Sequence, residues 1–217
     1  MPIFTKDKQR VYFAHIPKTA GSFIYTLFLD NGWDISHLRL GARGGISRIL
    51  RKRYGIESVE TPNEIEGLTK FFQHAEARHW QHWGPFDSSF AVLRDPIERC
   101  RSEVRYVYGF QKRSETIQEF KDKWLTEVRH KLIKDPDVVG GHFIPQVNFV
   151  SKDTQLYFYQ NSWLDELCAK YGLLQKSSKR VNQSTLETFD FSDEEIDWLK
   201  GYYTEDYKLI EESFVSN

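Results

Sequence analysis

Cysteine is scarce in this 217-residue chain, with Cys100 and Cys168 the only two. Two thiols cannot build a disulfide framework, and no Cys/His spacing matches a zinc ribbon or finger. A reducing compartment is the simpler expectation, with both residues read as structural thiols. Long apolar runs are missing too. Nothing approaches the ~20 residues a membrane span needs, and Met1 to Arg10 lacks the apolar stretch of a secretion signal, which points to a cytoplasmic protein. Nor is one sign of charge in excess: 30 Lys+Arg stand against 31 Asp+Glu, a formal net charge of -1. That balance gives no global reason to expect nucleic acid or a membrane surface as partner, so any anion site must be local.

What is present suffices for a real core. Hydrophobic residues make up 40% of the chain and aromatics 15%, which suits a packed α/β domain with a lined pocket and argues against disorder. No linker or repeat divides the sequence, so a single domain over 1–217 is expected.

The pattern alternates strands and helices. Val11 to Ala14 reads as a buried strand ending at His15-Ile16-Pro17, and Phe23 to Asn31 as a helix stopped by Gly32. Arg39 to Arg53 holds six basic residues (39, 43, 48, 51, 52, 53), three glycines and no carboxylate, and reads as a basic, flexible stretch. Leu68 to Gln73 and Ser88 to Leu93 are strand candidates, and Pro96 starts a helix with Ile97, Cys100, Val104 and Val107 on one face and Ser102 on the other. Thr116 to Ile133 predicts a long amphipathic helix, Gln155 to Tyr159 a strand and Ser162 to Tyr171 a helix, while Ser192 and Glu195 form a capping box for a last helical region. The order predicts an α/β fold, a mostly parallel central sheet flanked by helices.

Two turns carry chemistry. Lys18 to Ser22 lies between a buried strand and a helix N-terminus, where unpaired N–H groups and the helix dipole favour an oxyanion. Lys18 adds a cation, Thr19 and Ser22 add hydroxyl donors, and Gly21 permits close approach of a ligand. An ordinary βα turn with a surface lysine is the bland alternative. Arg94-Asp95-Pro96 closes a later strand; Arg94 offers a fork of donors suited to phosphate, and Ser102 follows about two turns into the next helix. Here the alternative is an ion pair from Arg94 to Asp95 or Glu98. The Gly-x₄-Gly-Lys-Ser/Thr loop of nucleotide hydrolases is absent, so a magnesium nucleotide fits less well.

Together the two motifs resemble the sulfotransferases that use 3′-phosphoadenosine 5′-phosphosulfate (PAPS), in particular the carbohydrate branch that includes heparan sulfate 2-O-sulfotransferase. The resemblance rests on His15-Ile16-Pro17-Lys18-Thr19-Ala20-Gly21-Ser22, with Ala20 in place of a common glycine, and on Arg94-Asp95-Pro96 with Ser102. It covers a small part of the chain, though Asn182-Gln183-Ser184 and Tyr203 to Asp206 agree in order. It implies a P-loop-NTPase-like sulfotransferase fold in which Pro17 to Ser22 hold the 5′-phosphosulfate and Arg94 and Ser102 the 3′-phosphate. The resemblance also implies that Lys179, Arg180 and Ser184 close over the nucleotide, with a solvated basic loop as the alternative, and that PAP (adenosine 3′,5′-bisphosphate) is the product. A Golgi location follows only if this is a fragment lacking its anchor. Gly140 to Gln146 is similar to the family's His-Phe-x-Pro-Gln segment, with His142 expected to shape the acceptor site.

Sulfuryl transfer needs a base near neutrality, for which histidine is the first candidate. His74, in a place comparable to the family's presumed catalytic histidine, is chosen as base beside Lys18, with His79, His82 and Glu76 as rivals. No two of His74, His79 and His82 are spaced i, i+4, and no metal is expected. The arginines of the basic stretch and the Trp80/Trp83 pair are acceptor-side features for a glycan, or else a solvated loop and core aromatics. The competing functions are a P-loop-like nucleotide kinase and a non-catalytic glycan- or anion-binding relative.

Overall fold

The structure is a computed structural model and describes residues 2–36, 45–56, 74–80, 83–110, 114–160, 162–175 and 188–215. The chain divides into two compact units, Met1–Leu93 with Asn148–Val181 and Arg94–Val147 with Asn182–Asn217.

The first unit is built on a five-stranded sheet of order β3-β1-β2-β4-β5, from β1 (Ile3–Lys6), β2 (Gln9–Phe13), β3 (Asp34–Ser36), β4 (Ser88–Leu93) and β5 (Thr154–Phe158). β1 pairs antiparallel with β2 and with β3, while β2–β4 and β4–β5 pair in parallel. The sheet is therefore mixed rather than mostly parallel, because the hairpin strand β1 is inserted between β2 and β3 and runs against both. Its tight turn is made by Asp7 and Lys8, both at positive φ (49° and 72°) with no glycine to announce it.

Alternate strand residues face opposite ways. Phe4, Val11, Phe13, Phe90 and Val92 join one buried cluster with Ile24, Tyr25 and Phe28 of helix α1 (Gly21–Asp30) and with Trp163 and Leu167 of α6 (Trp163–Tyr171). Phe28 stacks on Phe4 with centroids 4.0 Å apart. Tyr12, on the other face, stacks at 4.1 Å on Trp80 of α3 (Ala77–Trp80), whose indole N–H donates to the Phe149 carbonyl. Gly45–Tyr54 is a helix, α2, with Arg48, Arg51, Lys52 and Arg53 on it. The expectation of a flexible stretch there is corrected: Leu50 is buried in the core cluster, and Tyr54 donates to Asp30 at 2.7 Å. The strand expected at Leu68 to Gln73 lies outside the described residues.

The second unit is helical: α4 (Pro96–Phe110), α5 (Ile117–Leu132), α7 (Asp193–Tyr202) and α8 (Thr204–Val215). Thr116 and Ser192 cap α5 and α7 through complete capping boxes with Glu119 and Glu195. Cys100, Val104, Phe120, Leu125, Phe143, Phe191 and Leu199 form its core. The last helical region is two helices rather than one, broken at Tyr203.

Candidate active site

In the first unit, β2 leads through α1 to β3 on one side of the sheet, and the adjacent β4 leads away toward β5 on the other. Neighbouring parallel strands whose connections diverge leave a crevice at their carboxyl ends, the usual ligand position in open α/β sheets. The Lys18 loop is rooted there, since the Ala14 N–H donates to the Phe90 carbonyl at 2.8 Å.

The loop has a specific shape. Lys18 and Ala20 are both left-handed, at φ 66° and 69°, with Thr19 between them on the ordinary side. Such alternation curls consecutive N–H groups toward one concave side, the pattern of anion-binding nests. Ala20 caps α1 by backbone alone, with no side-chain cap and no acidic residue in the first turn. A negative charge at this end of the helix is therefore supplied by none of its own residues.

Two expectations about the loop change. Thr19 is fully buried and its hydroxyl donates to the Ile16 carbonyl at 2.9 Å, so the side chain pins the loop and is not a donor for a ligand. Gly21 is a glycine because of a neighbour in the protein: a Cβ there would lie 1.8 Å from Nε2 of His15.

His15 organises the site. Its ring lies over Phe13 (centroids 5.3 Å), meets Tyr25 edge-on and contacts the His74 ring at 4.5 Å. Tyr25 Oη is 2.5 Å from His15 Nδ1, and burial raises the Tyr25 pKa well above the usual phenol range. Nδ1 of His74 is 3.0 Å from the His15 carbonyl oxygen. A carbonyl only accepts, so Nδ1 of His74 carries the proton and, in the neutral ring, Nε2 carries the lone pair. The side chain chosen as base is thus brought against the loop that holds Lys18, and it is nearly buried, at 6% exposure. Glu76 is paired with Arg78 at 2.7 Å, and His79 lies on α3; His82 is outside the described residues. Trp80, with 4% exposure, is a core aromatic and no surface for a sugar.

In the second unit, Asp95 caps α4, its carboxylate accepting from the Glu98 N–H at 2.9 Å, and Pro96 takes the first helical position. Arg94 immediately precedes this cap, and Ser102 lies on the same helix, half-buried. Arg94 approaches Glu98 at 3.9 Å, a long pair on a half-exposed carboxylate that Arg101 also holds at 3.0 Å. A contact of that kind contributes little by itself. Gln146, fully buried, clamps the Arg94 peptide by accepting from its N–H (3.0 Å) and donating to its carbonyl (2.8 Å). Gln146 is in turn followed by Val147, whose N–H donates to the buried Asp206 carboxylate at 3.0 Å. His142 binds the buried Glu103 carboxylate at 2.8 Å. Lys179, Arg180 and Ser184 lie outside the described residues.

Compared with known protein families, curated proteins and solved structures, the chain matches none. Among the described residues no helix is long and apolar enough to cross a membrane.

Sequence reasoning missed Tyr25 and the clamp made by Gln146. Tyr25 lies on the buried face of α1, and nothing local in the sequence says that its hydroxyl reaches back ten residues to His15.

Proposed function

We propose that this protein is a sulfotransferase of the P-loop-like sulfotransferase fold, moving the sulfuryl group of PAPS to a hydroxyl of a carbohydrate acceptor. The reading is carried by the meeting of His74 with the Lys18 loop, where its Nδ1–H is committed to the carbonyl of His15, leaving the lone pair on Nε2. In this reading His74 takes the acceptor's proton on Nε2 while the acceptor oxygen attacks sulfur in line. The new O–S bond forms, the bond from sulfur to the phosphate oxygen breaks, and PAP departs. Lys18, the N–H groups of Thr19 to Ser22 and the positive end of α1 stabilise the charge gathering on the leaving oxygen. A sulfuryl group carries less negative charge than a phosphoryl group, so these groups take the part that Mg²⁺ plays in kinases. Arg94 and Ser102 are assigned the 3′-phosphate, Lys179, Arg180 and Ser184 the closure over the nucleotide, and the basic residues of α2 the attraction of an anionic glycan.

The test is thermal unfolding with PAP in the absence of magnesium, followed by an acceptor screen with labelled donor sulfate. Binding stabilises by about 2.7 kcal/mol at roughly a hundredfold excess over Kd, so a clear rise in Tm is expected. No shift with PAP, or a shift only with ATP and magnesium, overturns the reading in favour of a kinase. A shift with PAP but no transfer to any acceptor supports the non-catalytic relative instead.

A further inference from the structure

Tyr25 sits behind the two histidines, and the chemistry of its hydroxyl constrains both. Tyr25 is fully buried, and among the described residues its hydroxyl has one hydrogen-bond partner, Nδ1 of His15 at 2.5 Å. Burial keeps it a neutral phenol. A buried hydroxyl that donates to nothing loses the full cost of its desolvation, so its proton belongs on Nδ1 of His15, which must then present a lone pair. An imidazolium has none. The Tyr25 bond therefore holds His15 neutral with its ring proton on Nε2, the nitrogen that occupies the space beside Gly21 at the start of α1.

This matters for the ring next door. His15 and His74 are in contact at 4.5 Å, and a cation on one disfavours a proton arriving on the other. The same His15 residue also accepts the Nδ1–H of His74 through its carbonyl, so one anchored residue sets both the charge beside His74 and the nitrogen on which His74 carries its proton. The remaining charged group of this loop is Lys18, three residues on in sequence, which makes a second adjacent cation still less favourable.

We infer that Tyr25 is a positioning residue that sets the proton arrangement of the His15–His74 pair, with His15 neutral and protonated on Nε2 and His74 protonated on Nδ1. The inference rests on the sulfotransferase reading only for its consequence in turnover; the proton arrangement stands or falls by itself.

Imidazole nitrogen-15 NMR of the full chain near neutral pH reads the tautomer of each ring directly. The expected spectrum of the unmodified protein has His15 as the Nε2–H form and His74 as the Nδ1–H form. A charged His15, or a His74 protonated on Nε2, overturns the inference without any variant. Tyr25→Phe, which removes only the hydroxyl, is expected to shift the His15 Nδ1 resonance. It should also lower kcat about tenfold with the KM for the nucleotide unchanged. Unaltered His15 nitrogen shifts in a folded Tyr25→Phe protein overturn it as well. If the unmodified protein shows the expected tautomers but transfers no sulfate, the functional reading fails and the proton arrangement survives.

Discussion

The side-chain amide of Gln146 and the peptide of Arg94 bind each other in both directions, at 3.0 and 2.8 Å, as a strand pairs with its neighbour. Gln146 is wholly buried, and the exchange satisfies its amide oxygen and its amide nitrogen together. Gln146→Leu keeps the volume and removes both bonds to the Arg94 peptide. The expected loss is about 2 to 4 kcal/mol in urea unfolding. If Arg94 holds phosphate, PAP affinity falls with it.

Gly21 and Gly201 are both helical glycines with opposite expectations. An alanine at 21 collides with the His15 ring, whereas at 201 nothing among the described residues lies within 4 Å of the new methyl. Gly21→Ala is expected to cost about 1 to 3 kcal/mol through displacement of His15 from Tyr25. Gly201→Ala should stabilise by about 0.5 to 1 kcal/mol through helix propensity alone. Thermal unfolding of the two variants side by side checks the sign of each.

Ala20 holds φ 69°, a conformation that costs an alanine about 1 to 2 kcal/mol relative to glycine. Part of that gain is offset by the greater freedom of glycine in the unfolded chain. Ala20→Gly is therefore expected to raise stability by up to about 1 kcal/mol in thermal unfolding. A drop in stability would show that the methyl group makes packing contacts that outweigh the strain.

Under the proposed function, Lys18 and His74 separate binding from chemistry. Lys18→Ala removes the cation of the nest and should weaken PAP binding about tenfold or more, with turnover lost alongside it. His74→Ala should leave PAP affinity within about twofold while transfer falls by a factor of about 10² to 10⁴, the usual range for a general base. Full turnover in His74→Ala would refute the base assignment.

Alkaline pH should unfold the protein through its buried acids. Burial raises the phenols of Tyr12, Tyr25 and Tyr203 and pushes the Cys100 thiol up to about 12, with Glu103 adding to the last. For Lys121 burial works downward, but hydrogen bonds to Asp122 and Glu195 outweigh it and leave the ammonium raised. In the unfolded chain these groups titrate between about 8.5 and 10.4, so above that range the folded state retains protons that the unfolded state has lost. Stability is therefore complete below about pH 8.5 and falls as pH climbs through 10 and beyond. Tyrosinate absorbance from these residues should appear together with loss of the circular dichroism signal; its appearance in a still-folded protein would show that they ionise in place.

Much of the framework is legible in the sequence. Ser88 to Leu93 is a strand over the expected residues, Ser192 caps its helix as its spacing from Glu195 requires, and Gly172 ends α6 in the left-handed conformation. These are local signals, each completed within a few residues. β1 escaped notice because its turn, Asp7-Lys8, reaches positive φ without a glycine, and β3 because three residues are too short for any period to show. The helix at Gly45–Tyr54 was hidden by its charge, since only Leu50 among its described side chains is an apolar residue packed fully inside.

By itself the order of residues determined the strand at Ser88–Leu93, the helix α5 and the capped helix α7, and that a loop bearing Lys18 would meet a helix N-terminus, because capping, periodicity and turn chemistry act over four or five positions. Only tertiary structure decided that His74 would lie against His15, that Tyr25 would hold that ring, and that Gln146 would grip Arg94. Those partners are 59, 10 and 52 residues apart, and which of many possible polar pairs forms at such distances is selected by how the whole core packs, since a buried polar group must find a partner within the space the core leaves it.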